Sequence, residues 1–273
     1  MLKVVAKGLN FGLISKEAPN RNEKQNCLID VIMKKLNTHL KFKKIIIFEN
    51  DDLIIINKPQ NISTLNDRNS PINVLNWARS YYKNSKVCHR LDKNTSGILV
   101  IAKNVTFYRY FSMLLEKRSV KKIYHALVEG VQNIVELELN KPISTSSRRS
   151  KVDFQKGRPS VTLVSTIEKY KIHSLLACMP FTGRTHQIRV HLSNYGLPII
   201  GDHHYGGKNL FLSEIKTNYK FSKNKKEKPL MGRLALHAAG IQFEFKNGEI
   251  MKLTAPYPKD LQAAIQQLKK NNC

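Results

Sequence analysis

His89-Arg90-Leu91-Asp92-Lys93-Asn94-Thr95-Ser96-Gly97 runs directly into Ile98-Leu99-Val100-Ile101-Ala102. A charged stretch that stops at an unbroken apolar run reads as a loop carried to solvent by a buried strand. Asp92, with Arg90 and Lys93 as neighbours, would be kept ionised and available there as a nucleophile or electrostatic group. The plainer alternative is a turn in which Asp92 and Thr95 bond local backbone N–H groups.

Working outward, Ile45 to Phe48 and Leu53 to Ile56 flank the polar Glu49-Asn50-Asp51-Asp52 and predict a β-hairpin, closed by Lys58-Pro59. Ser70-Pro71 supplies a cap and a first-turn proline for a helix near 71 to 83 that turns Val74, Leu75, Trp77, Ala78 and Tyr81 inward. Asn104 caps a second amphipathic helix through Phe107, Phe111, Leu114 and Leu115. Lys122 to Glu129, Val161 to Tyr170 and Leu175 to Met179 have strand character, with antiparallel pairing expected. Gln187 to Tyr195 reads as a helix stopped by Gly196 and Pro198, and Asp260 to Lys269 as a closing helix. The basic, serine-rich Lys141 to Lys156 and the lysine- and asparagine-rich 213 to 229 are expected to be surface loops. Residues 1 to 42 hold one helical-period piece, Cys27 to Leu40, and read as an extension to a single domain over 43 to 273.

The 273 residues carry 46 Lys and Arg against 20 Asp and Glu, a formal net charge of +26 that points to a polyanionic partner, nucleic acid first. Part of that excess reflects an abundance of Lys, Asn and Ile of the kind AT-rich codons produce. Cys27, Cys88, Cys178 and Cys273 are far apart and form no Cys-x-x-Cys pair, which argues against a zinc ribbon or redox motif. No apolar run is long enough to span a bilayer and no signal-peptide pattern opens the chain, so the cytoplasm is the expected location, without a membrane partner.

A second segment, Thr182-Gly183-Arg184-Thr185-His186-Gln187-Ile188-Arg189-Val190-His191, leads a glycine-containing loop into a helix start. Backbone N–H groups and two arginines there suit a phosphate or a carboxylate; the alternative is an ordinary helix terminus with solvated arginines. His186 and His191 are five residues apart, on different helix faces, and no metal site is expected of them.

HRLDKNTSG followed by ILVIAK closely resembles the signature loop of the RluA-type pseudouridine synthases, and TGRTHQIRVHL resembles that family's third motif. KIYHALVEG, from Lys122 to Gly130, resembles its tyrosine-bearing strand and DDLIIINKP its first motif, while GDHHYGG, RLALHAAGIQF and LTAPYP follow in the family's order. The resemblance spans Ile45 to Pro258. It implies an α+β fold built on a long, bent, mainly antiparallel mixed sheet flanked by helices, with a central active-site cleft. It also implies an isomerase that turns uridine into pseudouridine in ribosomal or transfer RNA, working as a monomer without cofactor or metal.

Residue by residue, the resemblance makes Asp92 the nucleophile, Arg189 its partner, and Tyr124 the ring that packs on the target base and a candidate for removing its proton. Arg90 maps onto the arginine that fills the space left by a flipped nucleotide; His89, Thr95, Arg184 and His186 are grouped with it as substrate-side residues. Lys117, Arg118, Lys121, Lys122, Arg148, Arg149, Lys151 and the lysines of 216 to 228 are candidates to line an RNA track, the alternative for each cluster being a solvated basic face. The rival readings are a catalytically silent RNA-binding or ribosome-assembly factor of the same fold, and an aspartate phosphohydrolase. Against the second, Lys93 and Asn94 stand where that chemistry needs a further acid for Mg²⁺.

Overall fold

The computed structural model describes residues 39–66, 72–146, 149–216, 219 and 226–272. All seven residues of strand β4 (Ser96–Ala102) are buried. Strand alternation sends Ile98, Val100 and Ala102 into one apolar cluster and Leu99 and Ile101 into another. The helix Val105–Glu116 closes the first with Phe107, Phe111 and Leu114, and the helix Val74–Tyr81 closes the second with Val74 and Ala78. A strand covered on both faces has no polar face to show, which explains its unbroken apolar run.

The caps follow local chemistry. Asn104 Oδ1 accepts the amide of Phe107 at 2.8 Å, as its place before the apolar run predicts. The earlier helix starts at Val74, with Asn73 accepting the amide of Asn76 at 2.8 Å, so Asn73 and not Ser70 is its cap; Ser70 and Pro71 lie outside the described residues.

With β4, strands β1 (Ile46–Glu49), β2 (Leu53–Lys58), β3 (Lys86–Val87), β5 (Lys121–Glu129), β6 (Leu137–Asn140), β9 (Val161–Lys169), β10 (His173–Pro180), β11 (Leu236–Glu244) and β12 (Ile250–Thr254) form a ten-stranded sheet. Its order is β1-β2-β4-β11-β5-β10-β9-β6, with β3 on β4 and β12 on β11. The pairing of β4 with β11 is parallel and the others are antiparallel. This is the mixed α+β sheet that the resemblance implies. A further apolar cluster covers the β5–β10 half, where Ile188 and Leu192 of the helix Gln187–Asn194 join Leu261, Ala264, Ile265 and Leu268 of the helix Lys259–Lys270. Tyr124 packs against this cluster and against the one under β4, at the seam between the halves.

The expected loop Lys141 to Lys156 instead contains a small antiparallel sheet, β7 (Ile143–Thr145) with β8 (Ser150–Val152). Ile143 and Ser150 are buried and Val152 packs inward, but each strand has three residues, too few for a period of two to stand out between basic and serine residues. The 213 to 229 segment opens on the short helix Leu212–Ile215, and Glu227 accepts from Ser213 Oγ at 2.6 Å; positions 217, 218 and 220–225 lie outside the described residues. So do residues 1–38, and with them nearly all of the expected extension.

Candidate active site

The Asp92 loop is held from three sides by its backbone. Thr64 Oγ1 donates to the Leu91 carbonyl at 2.7 Å and accepts the Leu91 amide at 3.1 Å. The Thr95 amide donates to the Asp92 carbonyl at 3.1 Å, closing a turn. Lys58, fully buried, donates from Nζ to the carbonyls of Pro59 (2.9 Å), Ile62 (2.8 Å) and Lys93 (3.2 Å). Burial pulls Lys58 down to about 7 while the charge of Asp92 opposes it, and the three carbonyls match the three N–H donors of the ammonium form. The turn is thus made by backbone, and the Asp92 carboxylate is spared for another partner.

That partner is Arg189. Its Nη1 donates to Asp92 Oδ2 at 3.3 Å, while Nε and Nη2 fork onto the two carboxylate oxygens of Asp202, each at 2.7 Å. Burial would lower the guanidinium pKa, but Asp202 and then Asp92 more than offset this and hold it above its ordinary value. The buried fork fixes the guanidinium plane and leaves one edge for Asp92. His186 Nε2 stands 3.7 Å from the same Oδ2. Among the described residues Asp92 Oδ1 has no hydrogen-bond partner, so one oxygen is anchored and the other is open.

These groups line a cavity of about 510 Å³, within the range of small-ligand pockets. His89, Arg90, Asp92, Thr95, Lys122, Tyr124, Arg184, His186 and Arg189 all lie on its wall. Burial first, then the charge of Asp92, raises the Tyr124 phenol above its ordinary value and keeps it neutral. Burial lowers His186 despite the opposing charge of Asp92, so its imidazole is also neutral at neutral pH. Phe181, on the same wall, is 49% exposed and offers an aromatic face.

The other expected residues have different surroundings. His89 Nε2 accepts the Val100 amide at 3.1 Å, and burial drives its pKa down to about 3; this ring ties the loop to β4. Arg184 is fixed by Nε and Nη2 to the Pro159 carbonyl, each at 3.3 Å. Lys121 and Arg149 are exposed and lie off the pocket wall, and Arg148 lies outside the described residues. His191 is turned away, its two ring nitrogens 2.9 Å from Thr162 Oγ1 and the Lys141 carbonyl. Asp202 lies in GDHHYGG, and Lys58 in DDLIIINKP, a motif whose residues the resemblance makes structural; neither string names the contact its residue makes. The signal was the motif; the partner on a distant element was not in it.

A family model described as RNA pseudouridylate synthase matches residues 52–194, a stretch that contains Asp92, Tyr124 and Arg189. Ribosomal large subunit pseudouridine synthase D of Buchnera aphidicola subsp. Acyrthosiphon pisum is 34% identical over 233 residues, 82% of this chain and 73% of that protein. Ribosomal large subunit pseudouridine synthase C of Buchnera aphidicola subsp. Baizongia pistaciae is 37% identical over 247 residues, 86% and 74% of the two chains. Among solved structures, human RNA pseudouridylate synthase domain containing 4 superposes with a TM-score of 0.64 at 21% identity, over 86% of this chain and 97% of that one. Human RNA pseudouridylate synthase domain containing 1 gives 0.60 at 25% identity, over 78% and 83%. With its signature loop, its tyrosine strand and its third motif all facing one pocket, and with relatives alike over most of its length, the chain belongs to the RNA pseudouridylate synthase family.

Proposed function

We propose that this RNA uridine isomerase acts on large-subunit ribosomal RNA, with Asp92 as its nucleophile. The observation that carries the assignment is the carboxylate itself, anchored through Oδ2 by a buried arginine and open at Oδ1 toward a cavity that can hold a detached base. The reaction breaks the bond from N1 to ribose C1′ and forms one from C5 to C1′. The C5 proton is lost and N1 gains one, so atoms and electrons balance without an oxidant. Asp92 supports the separated sugar and base, and Arg189 holds the carboxylate in place. As a neutral phenol opposed by Asp92, Tyr124 is better suited to packing on the uracil ring than to taking its proton.

The target uracil leaves its stack to reach the pocket, at a cost of a few kcal/mol that contacts around the pocket offset. Arg90, Lys122 and Arg184 on the wall, and Lys121 and Arg149 beyond it, supply cations for flanking phosphates. Phe181 offers a stacking face. The relatives named above, both large-subunit ribosomal synthases, favour ribosomal over transfer RNA. Asp92, Tyr124 and Arg189 line one pocket of this chain, and the working form proposed is a monomer in the cytoplasm beside its ribosomal substrate. Carbodiimide mapping of ribosomal and transfer RNA, after incubation with wild type and Asp92→Asn, tests this. New pseudouridines in large-subunit RNA with wild type only are expected. Sites in transfer RNA alone would move the substrate, and no sites where a known synthase succeeds would favour a silent RNA-binding factor.

A further inference from the structure

Tyr205 sits where the β7–β8 hairpin meets the helix that carries Arg189. Its ring is buried and forms, with Ile143, Val152 and Val190, a small cluster apart from the main cores. Its hydroxyl is 2.9 Å from His186 Nδ1, donates to the Ser150 carbonyl at 3.2 Å and accepts the Ser150 amide at 3.3 Å. Ser193 Oγ donates to its carbonyl at 2.7 Å, so the same residue is also fastened to the helix. The hairpin pairs with no strand of the ten-stranded sheet; it is seated on the helix by this cluster, by the Tyr205 hydroxyl on Ser150, and by Lys141, whose carbonyl meets His191 and whose Nζ donates to Asn194 Oδ1 at 2.7 Å.

Two guanidinium groups lie over the Tyr205 ring, Arg189 at 4.9 Å and Arg149 at 5.1 Å. Arg189 is neutralised by Asp202 and Asp92. Among the described residues no carboxylate lies within ion-pair distance of Arg149, which is exposed. A cation fixed on an aromatic ring and lacking a counter-charge is suited to an external anion, and on an RNA enzyme that anion is a phosphate.

We propose that Tyr205 is a positioning residue that couples an RNA phosphate held by Arg149 to the alignment of Arg189 against Asp92. The proposal rests on the uridine-isomerase reading of the pocket and adds a route by which RNA seated outside the pocket sets the geometry inside it. When the phosphate draws Arg149 and the hairpin, Ser150 moves with them, and the Tyr205 hydroxyl and ring transmit that to His186 and Arg189.

A double-mutant cycle on the full chain decides it. Wild type, Arg149→Met, Tyr205→Phe and the double variant are compared for RNA affinity and for single-turnover rate at saturating enzyme. The substrate is transcribed large-subunit ribosomal RNA carrying tritium at uridine C5, which passes to water once C5 is joined to C1′. Arg149→Met should weaken binding about threefold to tenfold and also slow the saturated rate about fivefold. Tyr205→Phe should slow that rate about tenfold with affinity within about twofold, and the double variant should be no slower than the slower single. A wild-type saturated rate in Arg149→Met overturns the proposal, as does a double variant whose loss is the product of the two singles. Arg149 is exposed, so that arm decides even if Tyr205→Phe fails to fold. Absence of tritium release by wild type, with RNA bound, overturns the uridine reading itself rather than the coupling alone.

Discussion

At the scale of single residues, the two carboxylates that share Arg189 are held in different ways. Asp92 has one oxygen in a single contact with Arg189, while Asp202 takes the bidentate share of the same guanidinium. Asp92→Asn removes the proposed nucleophile but no phosphate contact. Its turnover should fall by more than about a thousandfold with RNA affinity within about twofold; filter binding beside pseudouridine mapping reads both, and turnover above a few per cent of wild type would rule Asp92 out. Asp202 is the structural partner, 2% exposed and fully committed to the fork. Asp202→Ala leaves a buried guanidinium with only Asp92, and should lower unfolding free energy by roughly 3 kcal/mol or more. Urea denaturation checks this, and an unchanged midpoint would mean that the fork contributes nothing net.

At the scale of elements, the loop is placed by the one parallel contact in the main sheet. Gly97 pairs with Ala238 across β4 and β11 just after the Asp92 turn. Its φ is +111°, and a Cβ added there would stand 2.2 Å from the Ala238 carbonyl oxygen. No side chain fits between two backbones so close, which gives the last residue of HRLDKNTSG a physical reason. Gly97→Ala should cost more than about 3 kcal/mol, by strain and by displacement of β11. A thermal midpoint within a degree or two of wild type would show that the strands can part there without loss. The helix Gln187–Asn194 is placed differently: Gln187 accepts from Thr182 Oγ1 at 2.7 Å and from the Arg184 amide at 3.0 Å, and donates to the Val161 carbonyl at 2.9 Å. One glutamine thus binds the TGRTH loop to the edge of β9.

At the scale of the whole molecule, buried histidines and surplus charge govern the response to solution conditions. Burial lowers His89 to about 3 and His237 to about 4, and both are neutral acceptors or donors in their native contacts. Their unfolded values are near the ordinary histidine range, so between about pH 6.5 and 4 the unfolded chain binds more protons than the native one. Stability contributed by these sites is therefore present above about pH 6.5 and lost as the solution is acidified, by up to about 1.4 kcal/mol per pH unit for each histidine. Urea titrations at pH 7 and pH 5 should give the lower unfolding free energy at pH 5, and equal values would contradict native-state burial of these rings. The net charge of +26 makes RNA affinity steeply salt-dependent. Filter binding between about 50 and 200 mM salt should lose at least about a hundredfold in affinity, and a flat dependence would argue that the basic surface is only solvated.

The sequence by itself determined the buried strand β4, the Asp92 loop before it, the Asn104 cap and the order of the motifs, because each is written in neighbouring residues with a local period or a local bond. Strand β11 was not legible: Leu236 to Gly240 contains small residues and no alternation, since all five are buried, and the strand feeds Leu236, Ala238 and Ile241 into three different apolar clusters. The hairpin Ile143 to Val152 was hidden by strands too short to show a period. Asp92 and Arg189 were legible as motif residues through the family they resemble, and their contact spans 97 positions. What only the tertiary structure decided is how Arg189 is divided between two carboxylates, that Lys58 braces the Asp92 loop, and that Tyr205 joins the hairpin to the site. Those are long-range pairings of buried polar groups, and no local pattern records which distant partner satisfies each one.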